Sequence, residues 1–124
     1  MLPDFFKWGI IIKNSKIPKY LSIFINIYAI TLWPFIIFSD EGNIRILNHE
    51  RIHIRQQTET LIIGFYILYI LFWLIGLVRN IKSKDRFHKA YMYIPFEKEA
   101  YSNDSDFTYL VNRKKFAWIK YTFQ

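Results

Sequence analysis

The residues from Leu61 to Val78 form an apolar run, LIIGFYILYILFWLIGLV, that contains no charged side chain. Soluble monomers rarely leave so much contiguous apolar surface in water, so the run must be buried. It is just long enough to cross the hydrocarbon core of a bilayer. We therefore expect one long apolar helix that lies at or in a membrane, or that packs against the earlier apolar run from Tyr20 to Phe38.

Basic side chains cluster beside both apolar runs. The chain has 17 Lys and Arg against 10 Asp and Glu, a formal net charge of +7. Basic segments next to apolar helices favour an anionic lipid surface and the cytoplasmic face of a membrane. No zinc-finger spacing or aromatic RNA-binding pattern accompanies the charge, so nucleic acid is not expected as a partner. The basic residues are Lys7, Lys13, Lys16 and Lys19 before the first run, and Arg79, Lys82, Lys84, Arg86 and Lys89 after the second.

The length and cysteine content narrow the class of protein further. A chain of 124 residues suits a single domain with a modest core, which we expect to extend over residues 1–124. The chain has no cysteine, which excludes disulfides and thiolate chemistry. Asp4 and Lys13 interrupt the N-terminal apolar stretch and no small-residue cleavage site follows it, so a secretory signal peptide is not expected.

The stretch His49-Glu50-Arg51-Ile52-His53 has the layout of a catalytic zinc site. Four residues carry a helix through one turn plus about 40°, so both imidazoles project from one face and can share a metal. Glu50 lies at the flank of that face, where its carboxylate could take a proton from a zinc-bound water. The alternative is an exposed helix with two unrelated histidines.

The pattern around this motif predicts a mostly α-helical fold with a short N-terminal β element. Ala29 to Phe38 is rich in β-branched and aromatic residues and fits short edge strands, with a proline-kinked membrane helix as the alternative. A turn then precedes a helix that starts near Ile44, with Asp40 or Asn43 as its cap. This helix runs without a clear stop into the apolar run, where Gly64 is the only weak point.

The last third of the chain is predicted to hold a basic connector, an acidic segment and a final helix. The connector extends from Arg79 to Lys89, and the acidic segment is FEKEAY, residues 96–101. We expect the final helix to follow a cap at Asp104 or Ser105. Its apolar stripe would consist of Phe107, Leu110, Val111 and Trp118.

A catalytic zinc site needs a third protein ligand and leaves its fourth position to water. The downstream candidates are His88, Glu97, Glu99, Asp104 and Asp106. Tyr91, Tyr93 or Arg113 could stabilise the oxyanion of a hydrolysis reaction, although tyrosines more often serve packing.

Residues Glu97 to Tyr101 resemble the E-x-x-A-D pattern of the glutamate zincins, in the branch that contains the CaaX prenyl peptidases and the HtpX-like peptidases. The resemblance covers residues 48–59 and 96–101 and implies that Glu97 is the third zinc ligand. Tyr101 stands where that branch has an aspartate that helps to orient active-site side chains. The candidates to replace this aspartate are Asp104, Asp106 and Glu99. With Gln56 and Gln57, the motif is also similar to that of small H-E-x-x-H-x-x-Q-Q proteins assigned as metallopeptidases.

A shared metal places a condition on the apolar run. If this run crossed the bilayer as a straight helix, His53 and Glu97 would lie on opposite sides, about 27 Å or more apart. The run must therefore bend near Gly64, lie in the interface, or pack against the first apolar run. We expect a compact helical domain embedded in or lying on one leaflet.

These observations lead to three hypotheses for function. The first is a membrane-associated zinc metallopeptidase with His49, His53 and Glu97 as ligands and Glu50 as general base, acting on a peptide or membrane-protein substrate. The second is a non-catalytic protein in which a metal joins two helices. The third is a two-span membrane protein without a metal.

Overall fold

The computed structural model describes residues 8–22 and 27–123. These residues form a mostly helical fold with a small sheet, in agreement with the predicted class. Lys7 and part of the first apolar run, residues 23–26, lie outside the described residues. In chain order the elements are β1 (Ile10–Ile12), α1 (Ile17–Tyr20), β2 (Ala29–Leu32), β3 (Phe35–Phe38), α2 (Ile44–Glu59), α3 (Ile63–Arg79), α4 (Arg86–Tyr93), α5 (Pro95–Asn103), α6 (Tyr109–Asn112) and a 3₁₀ helix (Ala117–Phe123).

The sheet has the strand order β1-β3-β2. β1 runs parallel to β3, with Ile11 beside Ile36, and β2 runs antiparallel to β3, with Ile30 beside Ile37. The predicted strands between Ala29 and Phe38 are thus confirmed, and the alternative of a proline-kinked helix is wrong. Pro34 lies in the turn between β2 and β3, where its missing N–H costs no ladder hydrogen bond.

The turn before α2 sets the start of the motif helix. Asn43 is the N-cap, since its side chain accepts a hydrogen bond from the Ile46 amide at 2.9 Å. Asp40, the other predicted cap, instead accepts from the Gly42 amide at 2.7 Å. Gly42 has a φ of +73°, and a Cβ there would lie 2.7 Å from the ring of Phe38, so this position requires glycine.

The motif helix and the apolar run are two helices, α2 and α3, set at 111° to each other. The break lies at Leu61 and Ile62, whose φ values of 58° and 66° are unusual for bulky side chains. The Thr60 hydroxyl donates to the Gln56 carbonyl at 2.8 Å and thereby satisfies one of the last carbonyls of α2. The helix therefore breaks two to three residues before Gly64, the position at which the sequence predicted a weak point. Among the residues described, no single helix has both the length and the apolar character needed to cross a membrane.

One face of α3 builds the main core. Phe65 packs with Ile94, Phe96 and Trp118, and the less buried Tyr66, Leu68, Tyr69, Phe72 and Trp73 surround this cluster. Gly76 allows α4 to approach closely, because a Cβ there would lie 3.1 Å from the Ala90 carbonyl oxygen. α5 packs against α2, and its Phe96 stacks on Phe65 of α3.

Two predictions for the last third of the chain need correction. α4 begins at Arg86, inside the segment predicted as a basic connector. The single final helix is instead the short α6 and a separate 3₁₀ helix. Leu110 and Trp118 are buried as predicted, whereas Phe107 and Val111 are exposed. Phe107 lies in the turn before α6, whose N-cap is Thr108 instead of the predicted Asp104 or Ser105.

Candidate metal centre

α2 and α5 bring two histidines and a glutamate together. His49 and His53 lie one turn apart on α2, and Glu97 lies on the first turn of α5. Glu97 Oε1 is 3.1 Å from His49 Nε2 and 3.2 Å from His53 Nε2. All three residues are buried, and their potential ligand atoms lie within 4.8 Å of one another, so the group could hold a metal ion.

The spacing of these atoms suits a small tetrahedral ion. Bonds of 2.0–2.2 Å from zinc to nitrogen or oxygen imply about 3.3 Å between neighbouring ligand atoms. The two measured distances from Glu97 to the imidazoles, 3.1 and 3.2 Å, are close to that value. The separation of Glu97 from each imidazole would therefore need to change little to bind such an ion.

Hydrogen bonds at the outer nitrogens set the tautomer of both histidines. His49 Nδ1 donates to Asp104 Oδ2 at 3.0 Å, and His53 Nδ1 donates to Gln56 Oε1 at 2.7 Å. The amide of Gln56 has this orientation because its Nε2 donates to Phe96 O and to Glu99 Oε1. Each neutral imidazole consequently presents an Nε2 lone pair to the centre, as metal ligation requires.

Three acceptors thus converge on one small volume, which must hold a proton or a cation. Burial lowers the pKa of His53, but the charge of Glu97 and its hydrogen bond outweigh this and raise it to about 9. The same contacts with Glu97 overcome burial at His49 and raise its pKa too. Burial alone would raise the pKa of Glu97, yet the two histidines hold it well below its usual value. A bound metal ion would take the place of these protons.

Tyr69 of α3 fixes the orientation of Glu97. Its hydroxyl donates to Glu97 Oε2 at 2.7 Å, which leaves Oε1 directed at the two imidazoles. Sequence reasoning missed this contact. The available signal was a hydroxyl one turn beyond Phe65 in an otherwise hydrophobic helix, but the bend between α2 and α3 is needed to bring it to Glu97.

Glu50 lies beside the centre without joining the ligand group. It is buried, and its Oε2 is 4.0 Å from His53 Nε2. Within residues 8–22 and 27–123 no group hydrogen-bonds to this oxygen. Burial raises the pKa of Glu50, and the two histidines offset this only in part. A buried carboxylate with an unsatisfied oxygen and a raised pKa is suited to accept a proton.

Tyr101 covers the outer side of His49, at the position where the resembled branch has its aspartate. The two ring centroids are 4.4 Å apart, and Tyr101 is 41% exposed, so Tyr101 lies between His49 and solvent. Its hydroxyl shares a hydrogen bond of 2.8 Å with that of Tyr91. Burial raises the pKa of Tyr101, and the nearby carboxylates raise it further, so its hydroxyl stays protonated as a donor.

The remaining predicted residues are placed elsewhere. Glu99 is buried in an ion pair with Arg113, whose Nε lies 2.5 Å from Glu99 Oε2, so neither residue is free to act at the centre. His88 is exposed on α4, and Asp106 accepts from the Thr108 amide in a turn. The Tyr93 ring contacts the cationic groups of Arg79 and Lys98. Of the candidates for the missing aspartate, Asp104 is the one that contacts a histidine of the centre.

Comparison of the chain with known proteins gives no match to a family model, to a curated protein or to a solved structure. The geometry of the centre is therefore the basis for assigning a function.

We expect Asp104→Asn to weaken metal binding about 10- to 100-fold, because the neutral amide supports the His49 imidazole less well than the carboxylate does. Chelator competition with zinc would measure the change. Asp106→Asn, two residues along the chain in an exposed turn, is the matched control and should leave the affinity unchanged. Equal affinities for the two variants would show that Asp104 does not support His49.

Proposed function

We propose that this protein is a zinc-dependent peptidase of the glutamate-zincin type. The observation that carries the proposal is the convergence of His49 Nε2, His53 Nε2 and the Glu97 carboxylate, beside the unsatisfied carboxylate oxygen of Glu50. Two histidines and one carboxylate are the ligand set of a catalytic zinc site, in which the fourth position stays open. A purely structural site would more commonly have four protein ligands.

The proposal gives each residue of the centre a separate role. Bound zinc would lower the pKa of a coordinated water toward about 7 and polarise a carbonyl. Glu50, buried beside the ligands with one oxygen unsatisfied, takes the proton of the attacking water and passes it to the leaving amine. Tyr101 donates a hydrogen bond to the carbonyl oxygen as negative charge develops there. Tyr69, Asp104 and Gln56 hold the ligands in place.

A second candidate, a structural metal that joins α2 to α5, is favoured by the burial of the three ligands and of Glu50. The two candidates differ in what they require of Glu50, because a structural site needs no base. They also differ in the expected cleavage of a defined mixture of short peptides, which mass spectrometry would measure. Cleavage by wild type supports the first candidate, whereas zinc binding without cleavage of any peptide supports the second.

We expect wild type to hold about one zinc per chain and His49→Ala or His53→Ala to hold less than about a tenth of that, since two ligands do not form a stable protein zinc site. Elemental analysis after zinc supplementation and desalting is the measurement. His88→Ala removes the third histidine of the chain, which is exposed on α4, and should retain the metal. A folded wild type that binds no zinc would overturn both candidates.

A further inference from the structure

α3 has an aliphatic face that the described part of the chain leaves open. At 100° per residue, six of its side chains fall within an arc of about 100°, opposite Phe65 and Gly76. Each of them is between 47 and 71% exposed. We call this set the aliphatic face; it consists of Ile63, Ile67, Ile70, Leu71, Leu74 and Val78.

A basic segment continues directly from the end of this face. Lys82 and Lys84 are exposed in the loop after α3, and Ile81 beside them is 63% exposed. Arg79, Arg86 and Lys89 flank the same loop, and Asp85, which pairs with Lys89 at 3.5 Å, is the sole acidic residue between them. Apolar side chains thus lead into a cluster of positive charge.

We propose that the aliphatic face docks onto an anionic lipid bilayer, with the basic segment at the headgroup phosphates. Apolar side chains enter the acyl boundary while cations bind anionic headgroups, and the two contributions add. The docking does not require the metal centre, so it can be tested independently of the proposed peptidase activity.

The composition of α3 favours lipid over a second copy of the chain. Protein interfaces between helices are bordered by polar and charged side chains that set register and partner choice. Between Ile63 and Val78, α3 has no charged side chain on any side. Its charges are confined to the C-terminal end, as expected for a helix whose open side meets hydrocarbon and whose end meets headgroups.

Docking would also orient the metal centre. Phe65 and Tyr69, on the side of α3 that reaches His53 and Glu97, point away from the aliphatic face. The centre would then lie about one helix diameter, about 10 Å, from the boundary of the hydrocarbon.

The absence of cysteine allows the proposal to be tested with single labels. Ile70→Cys on the aliphatic face and Val111→Cys on α6, both exposed, would each carry a bimane fluorophore. The full-length chain would be added to vesicles of phosphatidylcholine with 30% phosphatidylglycerol, with brominated acyl chains as quenchers. We expect strong quenching at position 70 and little at position 111, and about tenfold weaker binding to vesicles of phosphatidylcholine alone.

A charge variant tests the contribution of the basic segment to lipid binding. A sedimentation measurement distinguishes the other possible occupants of the aliphatic face. Lys82→Glu with Lys84→Glu leaves α3 intact and should weaken binding to the anionic vesicles at least about tenfold. Absence of quenching at position 70 would overturn the proposal. In that case, sedimentation equilibrium of the label-free chain would distinguish a dimer from a monomer whose face is covered by its own residues.

Discussion

Glu50→Gln should keep its zinc and lose peptide hydrolysis by about 10²- to 10⁴-fold, because glutamine has nearly the same shape but cannot accept the proton of the attacking water. The metal content of the variant should equal that of wild type, since Glu50 lies outside the group of His49, His53 and Glu97. Elemental analysis and cleavage of the peptide mixture would be measured on the same preparation.

The stability of the same variant adds a third readout. Glu50 is buried with one oxygen lacking a hydrogen-bond partner, which is unfavourable for a charged group. A neutral amide relieves part of that cost, so the thermal midpoint should stay the same or rise, as is common when a functional residue is removed. Glu41→Gln removes an exposed carboxylate and serves as control. Loss of zinc from Glu50→Gln would make Glu50 a ligand instead of the base.

Arg113→Met should destabilise the fold by about 3–5 kcal/mol, the cost of leaving buried charges without their partner. The Arg113 side chain is 1% exposed and those of Glu99 and Glu59 are 0% and 10% exposed. Arg113 contacts Glu59 at 2.6 and 3.1 Å, and Glu99 also accepts from Tyr109 at 2.6 Å and Gln56 at 2.9 Å. Unfolding in urea, followed by circular dichroism, would measure the loss.

Lys115→Met is the matched control, because it removes an exposed positive charge two residues along the chain. Its effect should stay within about 0.5 kcal/mol. A loss below about 1 kcal/mol for Arg113→Met, the range of exposed ion pairs, would show that the network contributes little. Since Gln56 contacts both Glu99 and His53, a change in zinc affinity would additionally show that the network supports the centre.

Much of the candidate site can be predicted from local sequence, because helical periodicity alone relates His49 to His53. Four residues make one turn, so both imidazoles share a face in any α-helix that contains the motif, and Glu50 lies at its flank. The strands between Ala29 and Phe38 and the start of α2 were likewise predictable, because β-branched residues, proline and an Asn cap act through neighbours in the chain.

The residues that contact the motif from other parts of the chain were harder to predict from sequence. The resemblance to E-x-x-A-D nominated Glu97, but the residue that replaces the aspartate remained open among three candidates. Asp104 contacts His49 because α5 ends there, and Asn48 of α2 donates to its carbonyl oxygen at 2.9 Å. From sequence, Arg113 is a candidate to stabilise the oxyanion. Its pairing with Glu99 depends on the turn after α6, which no local pattern indicates.

The sequence by itself determined the elements whose causes lie within a few residues: the motif face on α2, the strands β2 and β3, the apolar character of α3 and the basic segment after it. β1 was not predicted, because it pairs with β3 across the chain. The tertiary structure alone decided which groups meet across the chain. The bend of 111° at Leu61 and Ile62 brings Tyr69 to Glu97 and leaves the aliphatic face open. The physical reason is that periodicity and capping depend on neighbouring residues, whereas a break between two helices depends on the packing of both. A change of backbone direction at the break also reorients every side chain that follows it.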